Sequence, residues 1–272
     1  MKLLKFEVIE GVVQNINRGV NVDGEEIIQF EYVPPKKLEI SSLHELKKTY
    51  INGLLDNLDW IEYGLGKREK SILPETYMYF LKSKGPGENE DAVLWVSNTL
   101  SKAIENIYDS IEGGFFRFAE TRDWDVPHFE KMADLNSGII LLLYKTDQLK
   151  QKKTFKKIAV QTTAYLSNTL YDNNVGSFLS FQEADNYYYF FNEKNRKNQN
   201  FPQVIKNIYT NNLSATLNYL IDVLDYANDE ILITKIKSSI DFLDEMISKN
   251  KRPFHYYSTI KKQWFGKADL QD

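Results

Sequence analysis

The segment Gly113 to Asn136, GGFFRFAETRDWDVPHFEKMADLN, packs glycine, aromatic, charged and imidazole side chains together more densely than any other stretch of the chain. Its two best proton carriers are His128 and Glu130. An unperturbed imidazole titrates at about 6.5, close to neutrality, and a carboxylate can exchange a proton when its surroundings tune it. Arg117 and Arg122 could hold a carboxylate or phosphate on a ligand, or simply pair with Glu130 or Asp123. Phe116 and Trp124 here, and Tyr188 further on, could stack on the flat face of a ring-shaped ligand or fill the core. His255, followed by Tyr256 and Tyr257, could complete the same surface.

These groups need elements to carry them. Pro127 suits the first turn of a helix, where its missing N–H has no intrahelical partner in any case. Asp125 before it can cap that turn. The spacing then predicts a helix with His128, Met132, Leu135, Ile139 and Leu142 on one face. On such a helix Glu130 lies about 200° from His128. The two could not form a direct acid–base pair, so each would need a partner from another segment. A helix-start histidine bonded to a neighbouring loop is the plain alternative for His128.

Composition narrows the classes. The chain has 272 residues, 42% hydrophobic and 26% charged, the pattern of a soluble globular protein. A net charge of -4 argues against a general nucleic-acid binder. The basic run Lys150 to Lys157 reads as a solvated link between two helices. Without cysteine there is no disulfide, no thiolate nucleophile and no redox pair, which excludes thiol oxidoreductase chemistry. The three histidines lack zinc spacing, so neither metal nor cofactor is expected. The N-terminus does not read as a signal peptide, and Ile139 to Leu143 is too short to span a bilayer, so the expectation is a cytoplasmic protein with no membrane partner.

Along the chain, residues 1 to 36 read as strands: Phe6 to Val13 and Ile27 to Tyr32, with a turn at Asp23-Gly24 and a break at Pro34-Pro35. Ser41-Ser42 with Glu45 resembles a capping box opening the next helix. Residues 37 to 272 then alternate helices with aromatic, glycine-bearing loops. Helices are predicted near 75–82, 91–108, 127–147, 155–170, 211–226 and 231–248, with a Gly-Pro-Gly break at 85–87. The loops are Trp60 to Pro74, Gly113 to Trp124, Val175 to Phe191 (a hairpin with SFLSF and YYYFF as its arms) and Arg252 to Gly266. A loop recurring after every second helix falls on one end of a helical array, and helices apolar on several faces suit an inner row. The chain is therefore expected to be mainly α, an α/α toroid with a short N-terminal β segment.

The segment GGFFRFAETRDWDVPHFEKM resembles the signature of the YyaL-type thioredoxin-domain-containing proteins, whose pattern is close to GGGFxRYsxDxxWxVPHFEKMLYDNA. YGLGKREKSILP stands where that family has GGFGxAPKFP, GSFLSFQEADNYYYF resembles its GGFysAxDADSeGxFY, and NNLSATLNYL resembles its WNGLMIxALA segment. The resemblance implies a six-hairpin glycosidase-like toroid, similar to N-acylglucosamine 2-epimerases, and a carbohydrate-related role. It also makes NVDGEEIIQFEYVPP the remnant of a thioredoxin-like domain, without its CxxC. Glu183 and Asp185 take the places of the family's paired acids and could act as acid and base or bind a sugar hydroxyl; turn chemistry is the alternative. The family aspartate of MLYDNA is displaced here, in Met132-Ala133-Asp134-Leu135-Asn136. The family pattern continues past Asp272, so an incomplete ring, and with it a homo-oligomer or a shortened chain, is expected.

Two readings follow. In one the chain is a sugar-processing or sugar-binding toroid of epimerase, isomerase or hydrolase type, with His128, Glu130 and Asp185 as catalytic groups. Its ligand would be a sugar or other small polar molecule held by Arg117, Trp124, Phe116, Glu183, Tyr188 and His255. In the other the toroid is a non-catalytic scaffold for protein association.

Overall fold

The computed structural model describes residues 13–20, 26–32, 40–82, 90–151 and 153–268. The chain divides into two compact units between Asp56 and Asn57. In the first, β1 (Val13–Val20) and β2 (Glu26–Tyr32) pair antiparallel, with Ile16 opposite Phe30, and α1 (Ile40–Asp56) follows. The strand expected from Phe6, the turn at Asp23-Gly24 and the breaks at Pro34-Pro35 and 85–87 lie outside the described residues.

The second unit is built on helical hairpins. Its elements are α2 (Pro74–Leu81), α3 (Glu90–Asn106), the short strands β3 (Phe118–Ala119), β4 (Pro127–His128) and β5 (Lys131–Met132), then α4 (Ala133–Lys150) and α5 (Lys153–Thr169). β6 (Tyr171–Asp172), β7 (Ser177–Phe178), β8 (Phe181–Gln182), α6 (Asn186–Tyr189), α7 (Glu193–Arg196) and β9 (Asn207–Tyr209) follow. The chain then runs through α8 (Thr210–Val223), α9 (Glu230–Asn250), β10 (Phe254–Ser258) and β11 (Gln263–Lys267). α2, α4 and α8 form an inner row, and α3, α5 and α9 an outer row, each outer helix packed on its inner partner. α4 touches α2, α3, α5 and α8, which is why Ile139 to Leu143 can be apolar all round and buried without a break. At the end of α4, Gln151 adopts the left-handed conformation (φ 52°) and its N–H donates to the carbonyl of Asp147. At the last outer helix, the Asp229 carboxylate accepts from Leu232 N–H at 3.0 Å to start α9.

Four long connections, residues 57–73, 107–132, 170–209 and 251–268, lie on the end of the array where the inner helices begin. Backbone pairing stitches them in order. Lys70 and Ala119 exchange both N–H···O bonds, at 2.9 and 2.8 Å. β5 pairs with β8, Met132 opposite Phe181, and β9 pairs with β10, Asn207 opposite Ser258. The first three loops open with the same hairpin, bridged at Leu58–Leu65, Tyr108–Phe115 and Tyr171–Phe178. In each, an aspartate (Asp59, Asp109, Asp172) accepts from the N–H two residues on, at 3.0, 3.1 and 2.9 Å.

Several expectations need correction. The helix predicted from Pro127 begins at Ala133, and Pro127–His128 is instead a strand edge paired with Phe118–Ala119. The ladder satisfies the backbone that a helix would otherwise have paired. Of the YYYFF arm of the third loop, Tyr187 to Tyr189 belong to the short helix α6, and the hairpin there is β6–β7. Lys153 to Lys157 belong to the first turns of α5 rather than to a link.

Candidate functional site

Two buried ion clusters hold the loops in place. Asp59 takes Lys70 Nζ at 3.0 Å and Arg122 Nε at 2.6 Å, and both Asp59 and Lys70 are essentially inaccessible. Hydrogen bonding from Arg122, then Lys70, holds the Asp59 carboxyl well below the usual carboxylate range despite its burial. Trp95 and Trp124 donate their indole N–H groups to Asp59 O and Glu62 O, both at 2.9 Å. The second cluster repeats the first one hairpin later. Asp109 takes Lys131 Nζ at 2.7 Å and Arg196 Nη1 on both oxygens at 2.9 Å. Burial pushes the Asp109 carboxyl up, but Lys131 and Arg196 outweigh it and the group stays below its ordinary value. Lys131 is 0% exposed and its ammonium lies 4.7 to 5.2 Å from the ring centres of Phe116, Tyr165 and Tyr189. No substrate can reach a group so enclosed; the clusters fix geometry.

The candidate residues divide by environment. His128 is 38% exposed at the side chain, stacked on Phe118 at 4.8 Å between ring centres, with Nδ1 3.9 Å from Glu120. Glu130 is bound by Arg117 at 2.7 Å, the structural pairing that was one of the two options for that arginine. Arg122 pairs with Asp59 and not with Asp123 or Glu130. The N–H of Arg117 is shared between the carbonyls of His128 and Glu130, at 3.3 and 2.8 Å, so the strand bulges at Phe129. Asp185 caps α6, accepting from Tyr188 N–H at 2.9 Å, while Glu183 is exposed. Among the described residues no hydrogen bond or ion pair joins any two of His128, Glu130 and Asp185.

The aromatic candidates are largely enclosed. Trp124 is 0% exposed, against Gly64 and Lys70. Phe116 packs edge-on to Phe129 and Tyr189, and buried Tyr188 donates its hydroxyl to Glu112. In this conformation those three rings serve the core. His255 lies partly exposed on β10 beside Tyr209 and Tyr256. Among the described residues no group of three or more His, Asp or Glu side chains is gathered as a metal ion would need.

A polar pair that sequence reasoning did not single out joins the start of α2 to the third turn of α8. Glu75 of α2 and Tyr219 of α8 hydrogen-bond to each other. A Cβ on Gly138 of α4 would lie 2.5 Å from Pro74 and 3.1 Å from the Tyr219 ring, so the glycine permits α2 and α8 to close over α4. Asp134, in the first turn of α4, is pushed above the ordinary carboxylate value by burial, partly offset by Leu135 N–H and the Asn212 side chain. A glycine in the middle of an apolar helix was the one available signal, since it marks a close approach.

Over 81% of its length the chain superposes on 60% of cellobiose 2-epimerase from Bacillus thermoamylovorans, with a TM-score of 0.61 and 12% identity. For D-mannose isomerase the figures are 87%, 58%, 0.62 and 11%. A family 76 glycoside hydrolase (mannosidase) from Bacteroides thetaiotaomicron gives 76%, 55%, 0.56 and 12%. The fold is the six-hairpin α/α toroid. The described residues supply three inner–outer hairpins of it, and the chain spans about 60% of the epimerase and isomerase toroids it matches. By sequence, 115 residues (42% of the chain) are 27% identical to Spermatogenesis-associated protein 20 of Mus musculus and 28% to that of Homo sapiens, in each case 14% of the relative. No family model matches the chain. Among the described residues, no helix of the toroid is long and apolar enough to cross a membrane.

Proposed function

We propose that the chain is a carbohydrate-related toroid protein that binds, and in the fuller version of this reading processes, a sugar at the end where its inner helices begin. The observation that carries the reading is the hydrogen bond between Glu75 of α2 and Tyr219 of α8 across Gly138 of α4, with Asp134 of α4 within electrostatic reach of Glu75. Sugar chemistry of the epimerase, isomerase or hydrolase type needs a proton donor and an acceptor around one ring. Asp134, whose burial favours the protonated form, is assigned as the donor. His128 and Glu130, on the strand leading into α4, are assigned as accepting groups, with Arg117 and Glu183 at the entrance. Asp185 acts through its cap on α6. The motif around PHFEKM supports placing the chain with the YyaL-type proteins, residues 1 to 36 being the remnant of their thioredoxin-like domain.

Saturation-transfer NMR of the full chain with D-mannose, D-glucose, N-acetyl-D-glucosamine and cellobiose tests this. Transfer to at least one sugar, lost in Glu75→Gln and Asp134→Asn, is expected; a silent panel ends the proposal. One feature favours the scaffold reading as well. Ile221 of α8 and Ile240 and Ile247 of α9 are exposed on the last hairpin, apolar side chains that a second copy of the chain could cover. A concentration-dependent dimer in light scattering, dissociated by Ile240→Lys, would support that reading.

A further inference from the structure

We propose that the cleft between the C-terminal half of α9 and the third and fourth loops is a separate carbohydrate subsite, taking a neutral pyranose ring against Phe242, Tyr257 and Trp264. The cleft measures about 920 Å³, within the range of roughly 300 to 1,000 Å³ that small-molecule sites occupy. None of Glu75, Asp134, Tyr219, His128 or Glu130 lines it, so it shares only a ligand class with the site proposed above.

The internal repeat shows that this cleft is not an ordinary seam of the fold. Each hairpin tip leans on the next outer helix. At the second loop a Cβ on Gly113 would lie 3.0 Å from Gln161 O; at the third, one on Gly176 would lie 2.5 Å from Ser238 Oγ. Gln161 and Ser238 therefore hold equivalent places, as do Tyr165 and Phe242 four residues, about one turn, later. Tyr165 closes its seam by laying its ring 2.7 Å from where a Gly114 Cβ would stand, and the space left there is about 240 Å³. The residue in Gly114's place at the third loop is Ser177, shown by the matching bridges Tyr108–Phe115 and Tyr171–Phe178. A serine Cβ forbids that approach. Phe242 turns instead to Trp264, 4.9 Å away, and to Tyr257, 5.2 Å away, and the seam stays open.

The lining fits a sugar in two respects. Three aromatic rings that are only partly buried can meet the C–H face of a pyranose. Around them Glu245, Asn250 and Gln263 supply donors and acceptors for hydroxyl groups. Charge favours a neutral ligand: two carboxylates, Asp172 and Glu245, stand with two ammonium groups, Lys249 and Lys262, and Glu245 already binds Lys249. A phosphate or sugar acid would find no excess of positive charge.

The test titrates the full chain with cellotetraose and with mannotetraose, read by calorimetry and by tryptophan fluorescence in a Trp60→Phe background. Trp95 and Trp124 are fully buried, so the change then reports Trp264. Saturable binding of one probe is expected, weakened at least tenfold by Trp264→Ala and several-fold by Asn250→Ala, whose rim position leaves the aromatic cluster intact. Raising NaCl to 1 M should change the affinity less than twofold. Absence of saturation by both probes, or binding that survives both substitutions, overturns the subsite. If binding vanishes in Trp264→Ala but persists in Glu75→Gln with Tyr219→Phe, the subsite stands by itself, and the inner-helix site is decided by the sugar panel alone. The reverse pattern sinks the subsite alone.

Discussion

Asp109→Asn is the most informative single perturbation of the frame. The substitution keeps the shape of the side chain and removes its charge, leaving Lys131 (0% exposed) and Arg196 (7%) as neighbouring buried cations. Breaking a buried pair in this way costs about 3–5 kcal/mol. A domain of this size loses about 2–4 °C of melting temperature per kcal/mol, so the midpoint should fall by roughly 6–20 °C. The exposed pair Lys249–Glu245 is a natural control, since Lys249→Ala should cost under about 0.5 kcal/mol. Linkage gives a second signature. The Asp109 carboxyl is held below its ordinary value of 3.8, so its contribution is present above that pH and fades as pH falls through the folded value. The gap between wild type and Asp109→Asn should therefore be full at pH 7, start to narrow only below about pH 4, and close as pH falls through the lower folded value. Thermal melts followed by circular dichroism at pH 7 and across the acid range decide it. A loss under about 1 kcal/mol at pH 7 would refute the view that these clusters fix the loops.

Asp134 should show the opposite slope. Its carboxyl is raised, so the folded state holds its proton more tightly than the unfolded one, and stability declines as pH rises through the window above 3.8. Asp134→Asn, whose amide oxygen can still accept from Leu135, should raise the melting temperature at pH 7 and lose that advantage below pH 4. Gly114→Ala should cost about 2–4 kcal/mol in urea melts, because it combines a left-handed φ of 83° with a Cβ only 2.7 Å from the Tyr165 ring. Ser177→Gly, at the equivalent place, relieves no such contact and should change stability by under about 1 kcal/mol. Asp185→Ala should cost about 1 kcal/mol for its lost cap on α6. An activity loss in Asp185→Asn, which keeps the cap, as large as that in Asp185→Ala would instead give its carboxylate a direct part in turnover.

What could be read from the residues alone was the repeat of helix pairs and loops, because burial imposes a 3.6-residue period wherever a helix lies against a core. Five of the six principal helices of the second unit fall close to their predicted places, α4 starting six residues later than expected, and the all-round apolar run at Ile139 to Leu143 marks the helix enclosed on every side. Arg117 with Glu130 was also within reach, as a local pair. Pairing between distant segments was not. Pro127 looks like a helix start until Phe118 and Ala119 arrive to bond the same backbone, a contact no local propensity encodes. Arg122 finds Asp59 sixty-three residues away, and Trp124, a ligand-stacking candidate by type, is sealed against Gly64. The matching stretches at 59–64 and 109–114 share only Asp, Ile, Glu and Gly, too little to recognise before the hairpins superpose. Composition and period decided the class of fold. Which side chains meet was decided by the toroid itself, since stitching one loop to the next brings together groups that the chain keeps tens of residues apart.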